Sequence, residues 1–328
     1  MVPSVDWLLY SFARKEAVMS TQIEGTQATL VDLLAAEASA IESPDLEEVF
    51  NYVAALDHAR ARLNDPNGLP LSRRLLDETH AKLMQGVRGS KSSPGEIRRS
   101  QNWIGGTRPG NAIFVPPPPQ HLPEVMSALE KYLHAEDEID PLVRIGLVHV
   151  QFETIHPYLD GNGRLGRLLI TLLLEHWRIL SHPLLYPSLF LKQNRAEYYR
   201  RLTAVRAEGD WEGWIQFFLD VLANAADTAS TAISELFTIV DEDRARVIES
   251  ANATVYSIRL FERLPRHPFV NVGRAMELLD TSRPTASRAI NALAELGVLE
   301  STGERRRDRT HCYARYVERL RSGTDLDS

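Results

Sequence analysis

Cysteine is almost absent: Cys312 stands alone in 328 residues. No intrachain disulfide can form, and a reducing compartment is the default for such a chain. A single cysteine and scattered histidines also lack the ligand spacing of a zinc site. No apolar run approaches the ~20 residues that a bilayer-spanning helix needs. The N-terminus has neither the basic start nor the unbroken apolar core of a signal peptide, since Val5 to Phe12 is short and carries Asp6. These absences predict a cytoplasmic protein with no membrane partner. Internal repeats and low-complexity segments are missing too. So is an excess of positive charge: the formal net charge of −7 argues against a chain that coats nucleic acid along its whole length, yet leaves room for one basic patch. What remains is an ordinary globular composition, 44% hydrophobic and 25% charged, at a length that suggests about two domains.

One stretch stands out, from His156 to Arg167: His-Pro-Tyr-Leu-Asp-Gly-Asn-Gly-Arg-Leu-Gly-Arg. Apolar runs precede it (Leu142 to Ile155) and follow it (Leu165 to Leu174), and both read as buried helices. A polar loop between two buried helices is costly to bury without a ligand. Its glycines let backbone N–H groups turn toward an anion, and the next helix aims its positive dipole end at the same place. Two arginines suit phosphate oxygens, Asp160 suits a divalent metal bridging them, and His156 suits a general base. The residues alone describe a nucleotide-phosphate site with a built-in base.

The rest of the chain reads mainly as helix. Residues 4 to 42 carry Leu8, Leu9, Phe12 and Val18, then Leu30, Leu33 and Leu34, at roughly helical spacing, with a break at Gly25. Glu24 lies at the end of that first helix, where a carboxylate is either solvated or met by a cation. Helices are predicted over 46–64, from the N-cap Ser72 through Leu83, over 121–135 and 141–155, and on to Leu180 after the central loop. Residues 181 to 191 read as a proline-punctuated crossover. Helices at 194–206 and from 212 to about 250 follow, the second with Trp211, Trp214, Phe217 and Phe218 marking its buried face. Between Gly95 and Pro119, the extended core Ile113-Phe114-Val115 predicts a hairpin turning near Arg108-Pro109-Gly110, a reasonable place to hold an extended target segment. A boundary falls near 250 to 266. Beyond it come short helices over 272–279 and 285–296, separated by the turn Asp280 to Pro284, and a hairpin tipped by Gly303 to Arg309. That order matches a helix-turn-helix with a wing. Ser282, Arg283, Thr285, Ser287 and Arg288 open its second helix, and Arg305, Arg306 and Arg307 crowd the wing. These residues can meet DNA; equally, the tip can be simply solvated or the module can dock proteins.

The central stretch resembles the signature of the Fic (Fido-domain) family, His-Pro-Phe-x-Asp/Glu-Gly-Asn-Gly-Arg-x-x-Arg, with Tyr158 in place of the phenylalanine. Gly95 to Pro119 is similar to the family's flap, and Asn194 to Tyr199 to its post-motif helix. The resemblance covers about residues 14 to 225, and a winged-helix tail is a common companion. It implies a mainly α protein: a Fic helical bundle with a small β-hairpin flap and a C-terminal winged helix-turn-helix domain. The implied domains are an N-terminal helical segment with an inhibitory motif (1–45), the catalytic core and its helical extension (46–250), and the winged helix (251–328). The implied activity is transfer of AMP from ATP to Ser, Thr or Tyr hydroxyls of a target protein and of the chain itself, with ATP and Mg²⁺ required.

Carried over residue by residue, His156 is the base and Asp160 the Mg²⁺ ligand. Gly161, Asn162, Gly163, Arg164, Leu165, Gly166 and Arg167 form the phosphate site, with Arg167 on the γ-phosphate. Tyr198 and Tyr199 line the adenine pocket, and Ile113, Phe114 and Val115 dock the target. Gly163 argues against the family's kinase-like branch, which carries lysine there. Ser20 to Gly25 resembles the family's inhibitory motif, so Glu24 is expected to pair with Arg167 and occupy the arginine that a γ-phosphate needs; in some relatives the same glutamate supports removal of AMP. A homodimer is expected. His58, His80, His149 and His176 read as structural histidines, and Glu153 as a structural carboxylate. Two other readings keep the site. One is a DNA-binding regulator whose core senses nucleotide; the other is transfer of a different nucleotide or of phosphocholine.

Overall fold

Capping and apolar spacing set most of the helices. The computed structural model describes residues 6–39, 43–86, 93–136, 138–302 and 309–326. In chain order the helices are α1 (Asp6–Ile23), α2 (Leu30–Ser39), α3 (Pro44–Asn64), α4 (Arg73–Leu83), α5 (Leu122–His134), α6 (Pro141–Ile155), α7 (Asn162–His176), α8 (Pro187–Gln193), α9 (Arg195–Glu208), α10 (Trp211–Glu249), α11 (Val255–Phe261), α12 (Val272–Leu279), α13 (Arg283–Glu295) and α14 (Ala314–Arg321). Three two-residue strands accompany them: β1 (Phe269–Val270), β2 (Glu300–Ser301) and β3 (His311–Cys312). No helix among the described residues is long and apolar enough to cross a membrane.

By contacts the chain forms two compact units that interleave in sequence, where the sequence reading cut it at 45 and 250. One comprises Glu16–Gln27 and Pro44–Ala226; the other comprises Met1–Lys15, Ala28–Ser43 and Asp227–Ser328. In the first unit, Ser72 caps α4 by accepting from the Leu75 N–H at 3.4 Å, and Asp140 caps α6 by accepting from the Leu142 N–H at 2.8 Å. Helices α3 and α4 pack together, as do α6 and α7. Leu165, Leu168, Leu169, Leu172 and Leu173 of α7 are fully buried, which makes α7 the core helix.

Several sequence expectations shift here. The helix after the central loop ends at His176, with Trp177 as its cap, rather than at Leu180. Pro187 opens α8 inside the supposed crossover, because proline is tolerated in a first helical turn. Trp211 is 44% exposed rather than buried, since the i, i+4 period sets it on a groove with Ile215 and Leu219 while Trp214 and Phe218 face the core. The flap hairpin contracts to one antiparallel bridge, Ile104 to Phe114, closed by a single 3₁₀ turn at Pro109–Asn111.

In the second unit, Trp7 packs edge-on against Phe237 and tilted against Tyr316. Helix α13 packs on α11 and α12, and the strands form an antiparallel sheet of order β1-β3-β2, with Cys312 opposite both Phe269 and Glu300. Arg283 and Pro284 belong to the first turn of α13 rather than to the turn before it, which ends at Ser282. The tip that carries Arg305, Arg306 and Arg307 lies outside the described residues.

Candidate active site

The loop between α6 and α7 takes its shape from backbone geometry and a ring of buried polar bonds. His156 ends α6 in the left-handed region, with φ +49°, and its N–H bonds the Phe152 carbonyl at 2.9 Å. A non-glycine residue held there is uncommon. Gly161 precedes α7 with φ +77°, and a Cβ on it would come within 2.6 Å of the Met84 sulfur. The Asn162 side chain ties the loop to itself, accepting from the Tyr158 N–H at 2.9 Å and donating to the Tyr158 carbonyl at 2.8 Å.

Three residues outside the motif complete the frame. The Nδ1 of His80 accepts from the Gly95 N–H at 2.8 Å, so its Nε2–H donates to the Asp160 carbonyl at 2.9 Å. Its ring stacks on Tyr158 at 3.9 Å between centroids, and burial pulls the imidazole down to about 4. Arg98, 2% exposed, donates to the carbonyls of His156 (2.9 Å), Ser100 (3.3 Å) and Pro117. It thus joins the base of the flap to the catalytic loop. His149 donates to the Gly166 carbonyl at 3.1 Å and accepts from the Tyr198 hydroxyl at 2.8 Å. Reading the histidines as isolated residues missed the part of His80 in the site; its neighbour in space, Asp160, lies far along the chain. Arg98 lies three residues after the flap's first glycine, Gly95, and nothing in its spacing marks its carbonyl partners.

The cleft above this loop has a volume of about 460 Å³. Its walls bring together Glu24, His156, Asp160, Gly161, Asn162, Gly163, Arg167, Tyr198 and Tyr199, with Ile113 from the flap. Phe114 is held away by its bridge to Ile104, where the Arg206 guanidinium lies 4.6 Å from its ring centre. Ile113 and Val115 are exposed. Three residues of the expected phosphate site stand back from the cleft. The Leu165 N–H is used up on the Gly161 carbonyl at 3.0 Å. Arg164 is buried, 3.2 Å from Glu48 and 3.6 Å from Asp160. A Cβ on Gly166 would come within 2.4 Å of Glu153 Oε1. Arg195, Glu153 and Arg206 join the walls without having been expected there.

Arg167 is the electrostatic centre. Its side chain is 1% exposed; its Nε donates to the Ser20 hydroxyl at 2.9 Å, and one terminal nitrogen donates to the Ser20 carbonyl at 2.9 Å and to Glu24 Oε1 at 2.6 Å. Burial alone would raise the Glu24 carboxyl, but Arg167, with Arg164 and Arg195, outweighs it and holds the carboxyl below its usual range. Burial would likewise lower Arg167, and Glu24 holds it up, so the pair is ionised. Glu24 Oε1 also stands 2.4 Å from where a Gly163 Cβ would be, at the positive end of α7. The carboxylate therefore occupies an anion site. Burial, with Arg206 next, pulls His156 down to about 4, so its imidazole is neutral and able to accept a proton at pH 7.

Two family models match this chain: the Fic/DOC family over residues 70–174 and the Fic/DOC family N-terminal region over residues 1–61. The chain belongs to the Fic/DOC family. Among curated relatives of this family, "Protein adenylyltransferase Fic" of Culex quinquefasciatus is 31% identical over 238 residues, covering 68% of this chain and 44% of that protein. The protein of the same name from Drosophila grimshawi is 31% identical over 235 residues, covering 68% and 45%. The chain thus spans less than half the length of the curated relatives it matches. Among solved Fic structures, a Fic family protein from Desulfovibrio desulfuricans G20 superposes with a TM-score of 0.58 at 22% identity, covering 92% of this chain and 86% of that one. Fic-1 from C. elegans superposes with a TM-score of 0.54 at 21% identity, covering 72% and 65%. These likenesses show a Fic fold.

Proposed function

We propose that this chain is a protein adenylyltransferase that moves AMP from ATP onto Ser, Thr or Tyr hydroxyls of a target protein, itself included, and rests in a form inhibited by Glu24. The observation that carries the reading is the Glu24–Arg167 pair at 2.6 Å, inside the cleft that also presents His156 and the start of α7. A nucleotide triphosphate brings the charge that such an anion site accepts, and Glu24 competes for the same arginine. Once Glu24 leaves, phosphate oxygens face the free N–H groups of the first turn of α7 and the Arg167 guanidinium. The target hydroxyl oxygen then bonds to the α-phosphorus, the bond from that phosphorus to its bridging β-oxygen breaks, and pyrophosphate departs. The hydroxyl proton goes to His156. Asp160, side chain 48% exposed at the cleft mouth, suits a Mg²⁺ ion that keeps most of its ligands from water and phosphates. Bound there, Mg²⁺ would neutralise phosphate charge. Tyr199, with Arg195 over its ring at 5.7 Å, would flank the adenine. Exposed Ile113 and Val115 would receive an extended target segment.

The test is labelling from [α-³²P]ATP with Mg²⁺, on the purified protein and on a lysate, comparing the parent, Glu24→Gly and His156→Ala. Label that rises in the first variant and vanishes in the second is expected. No label from a folded Glu24→Gly protein, with or without lysate, would end the adenylyl-transfer reading.

The C-terminal helices and sheet support a second reading alongside the first, a winged helix that contacts DNA. The supporting observation is the order α11, β1, α12, α13, β2, β3 with its three-stranded antiparallel sheet. Neutralising Arg305, Arg306 and Arg307 together should weaken DNA binding and flatten its salt dependence; binding that is absent from the parent, or unchanged by the substitutions, removes this reading.

A further inference from the structure

Glu153 sits one helical turn before His156, at the end of α6, and its side chain is 7% exposed. Its Oε1 is buried with no hydrogen-bond partner, and the Nδ1 of His156 is buried with none either. The two side chains approach to 4.0 Å between Glu153 Oε2 and His156 Nδ1. The Glu153 backbone carbonyl, which receives the Arg206 guanidinium at 2.9 Å, also faces the His156 ring and is the rival acceptor for an Nδ1 proton. Arg206 also donates to the Thr154 hydroxyl, at 3.3 Å. The carboxylate has room only because residue 166 is glycine, since a Cβ there would lie 2.4 Å from Oε1.

We infer that Glu153 is the positioning carboxylate of this site: it takes the Nδ1–H of His156, fixes the tautomer that leaves Nε2 bare, and stabilises the imidazolium formed when Nε2 accepts the target hydroxyl proton. The pairing requires the 4.0 Å gap between Glu153 Oε2 and His156 Nδ1 to close to hydrogen-bond length. The Nδ1 proton stays on the ring throughout, so only the hydroxyl proton changes place. Carboxylate-oriented imidazoles act this way in other acyl- and phosphoryl-transfer sites. The inference rests on His156 acting as a base. Several other titratable groups face the pair: Glu24 just after α1, Arg98 beside the flap, Arg167 from α7, and Arg206 and the Tyr198 phenol from α9. Burial pushes the Glu153 carboxyl up to about 7, so it is poised to ionise fully when the ring beside it gains charge.

The experiment uses the full chain carrying Glu24→Gly, with Glu153→Gln, Glu153→Leu or Gly166→Ala added, each checked for folding by its melting transition. ¹⁵N NMR of labelled histidine reads the tautomer and titration midpoint of His156 without any catalysis, and the pH profile of AMP transfer is measured in parallel. Glu153→Gln keeps an acceptor but no charge, so the Nδ1–H tautomer read at pH 8, where the parent carboxyl is ionised, should persist while kcat falls. Glu153→Leu should also scramble the tautomer and lower kcat by about 100-fold, with KM for ATP changed by less than about threefold. Gly166→Ala leaves Glu153 chemically intact but displaces it, and should scramble the tautomer as well. An unmoved tautomer in both Glu153→Leu and Gly166→Ala overturns the inference, even if kcat falls, because packing alone would then account for the loss. If the Glu24→Gly parent transfers no AMP, the adenylyl-transfer reading fails, while the NMR result still decides the pairing.

Discussion

Replacing Glu24 probes the resting state most directly. Arg167 is 1% exposed and Glu24 is 35% exposed, so one partner is desolvated and the other is partly screened by water. A charge-assisted hydrogen bond contributes ~1.5–3 kcal/mol, and screening of a carboxylate this exposed places the pair toward the lower end, at roughly 2 kcal/mol. If that contact alone sets the balance between blocked and open sites, its loss enlarges the open fraction about 30-fold while the blocked form dominates. Glu24→Gly should therefore raise initial rates of [α-³²P]ATP labelling by about that factor. Glu24→Gln keeps the length and an acceptor but loses the charge; with roughly half the energy retained, it should give about a fivefold rise. His156→Ala in either background should abolish label. The melting temperature should drop slightly in Glu24→Gly, because Arg167 is left buried with only the Ser20 hydroxyl and carbonyl as partners. Parent-like labelling rates in both Glu24 variants, with His156-dependent label intact, would refute the competition between Glu24 and the γ-phosphate.

Arg98→Ala should destabilise the protein by about 3 kcal/mol, since three part-buried carbonyls lose a donor, and should lower labelling in the Glu24→Gly background at least tenfold; Arg98→Lys should not restore it, because one ammonium cannot span the same three carbonyls. Both effects are read by urea denaturation and initial rates. Ser20→Ala removes the hydroxyl that meets the Arg167 Nε and should lower stability by about 1 kcal/mol, again measured in urea, with a rise in labelling smaller than that of Glu24→Gly. His80 carries a pH signature. Its folded value of about 4 lies below the ordinary 6.5, so the unfolded chain binds its proton first; its support is complete above pH 6.5 and is lost as pH falls toward 4. His80→Gln should therefore flatten the dependence of stability on pH in that window by up to ~1.4 kcal/mol per unit. An unchanged slope would show that His80 is not held neutral.

The chain by itself determined the helical class and the places of most helices, α8, α11 and α14 excepted, and it marked the stretch from His156 to Arg167 as the candidate site. Helical period and capping are local properties: Ser72 and Asp140 cap the helices they precede, and the loop's glycines and arginines carry their chemistry wherever the chain leads. Glu24 was legible as a partner for Arg167 only through its resemblance to a known motif, because nothing local distinguishes it from a solvated helix end. Only the tertiary structure decided which groups meet. It set Glu24 against Arg167, His80 under the Asp160 carbonyl, and Arg98 across the His156, Ser100 and Pro117 carbonyls. It also set Leu165 and Gly166 back from the cleft walls and grouped α2 with residues 227–328 rather than with the Fic core. The physical reason is common to these cases. A buried polar atom must find a partner, the partner is chosen by packing across elements far apart in sequence, and spacing along the chain carries no record of that choice.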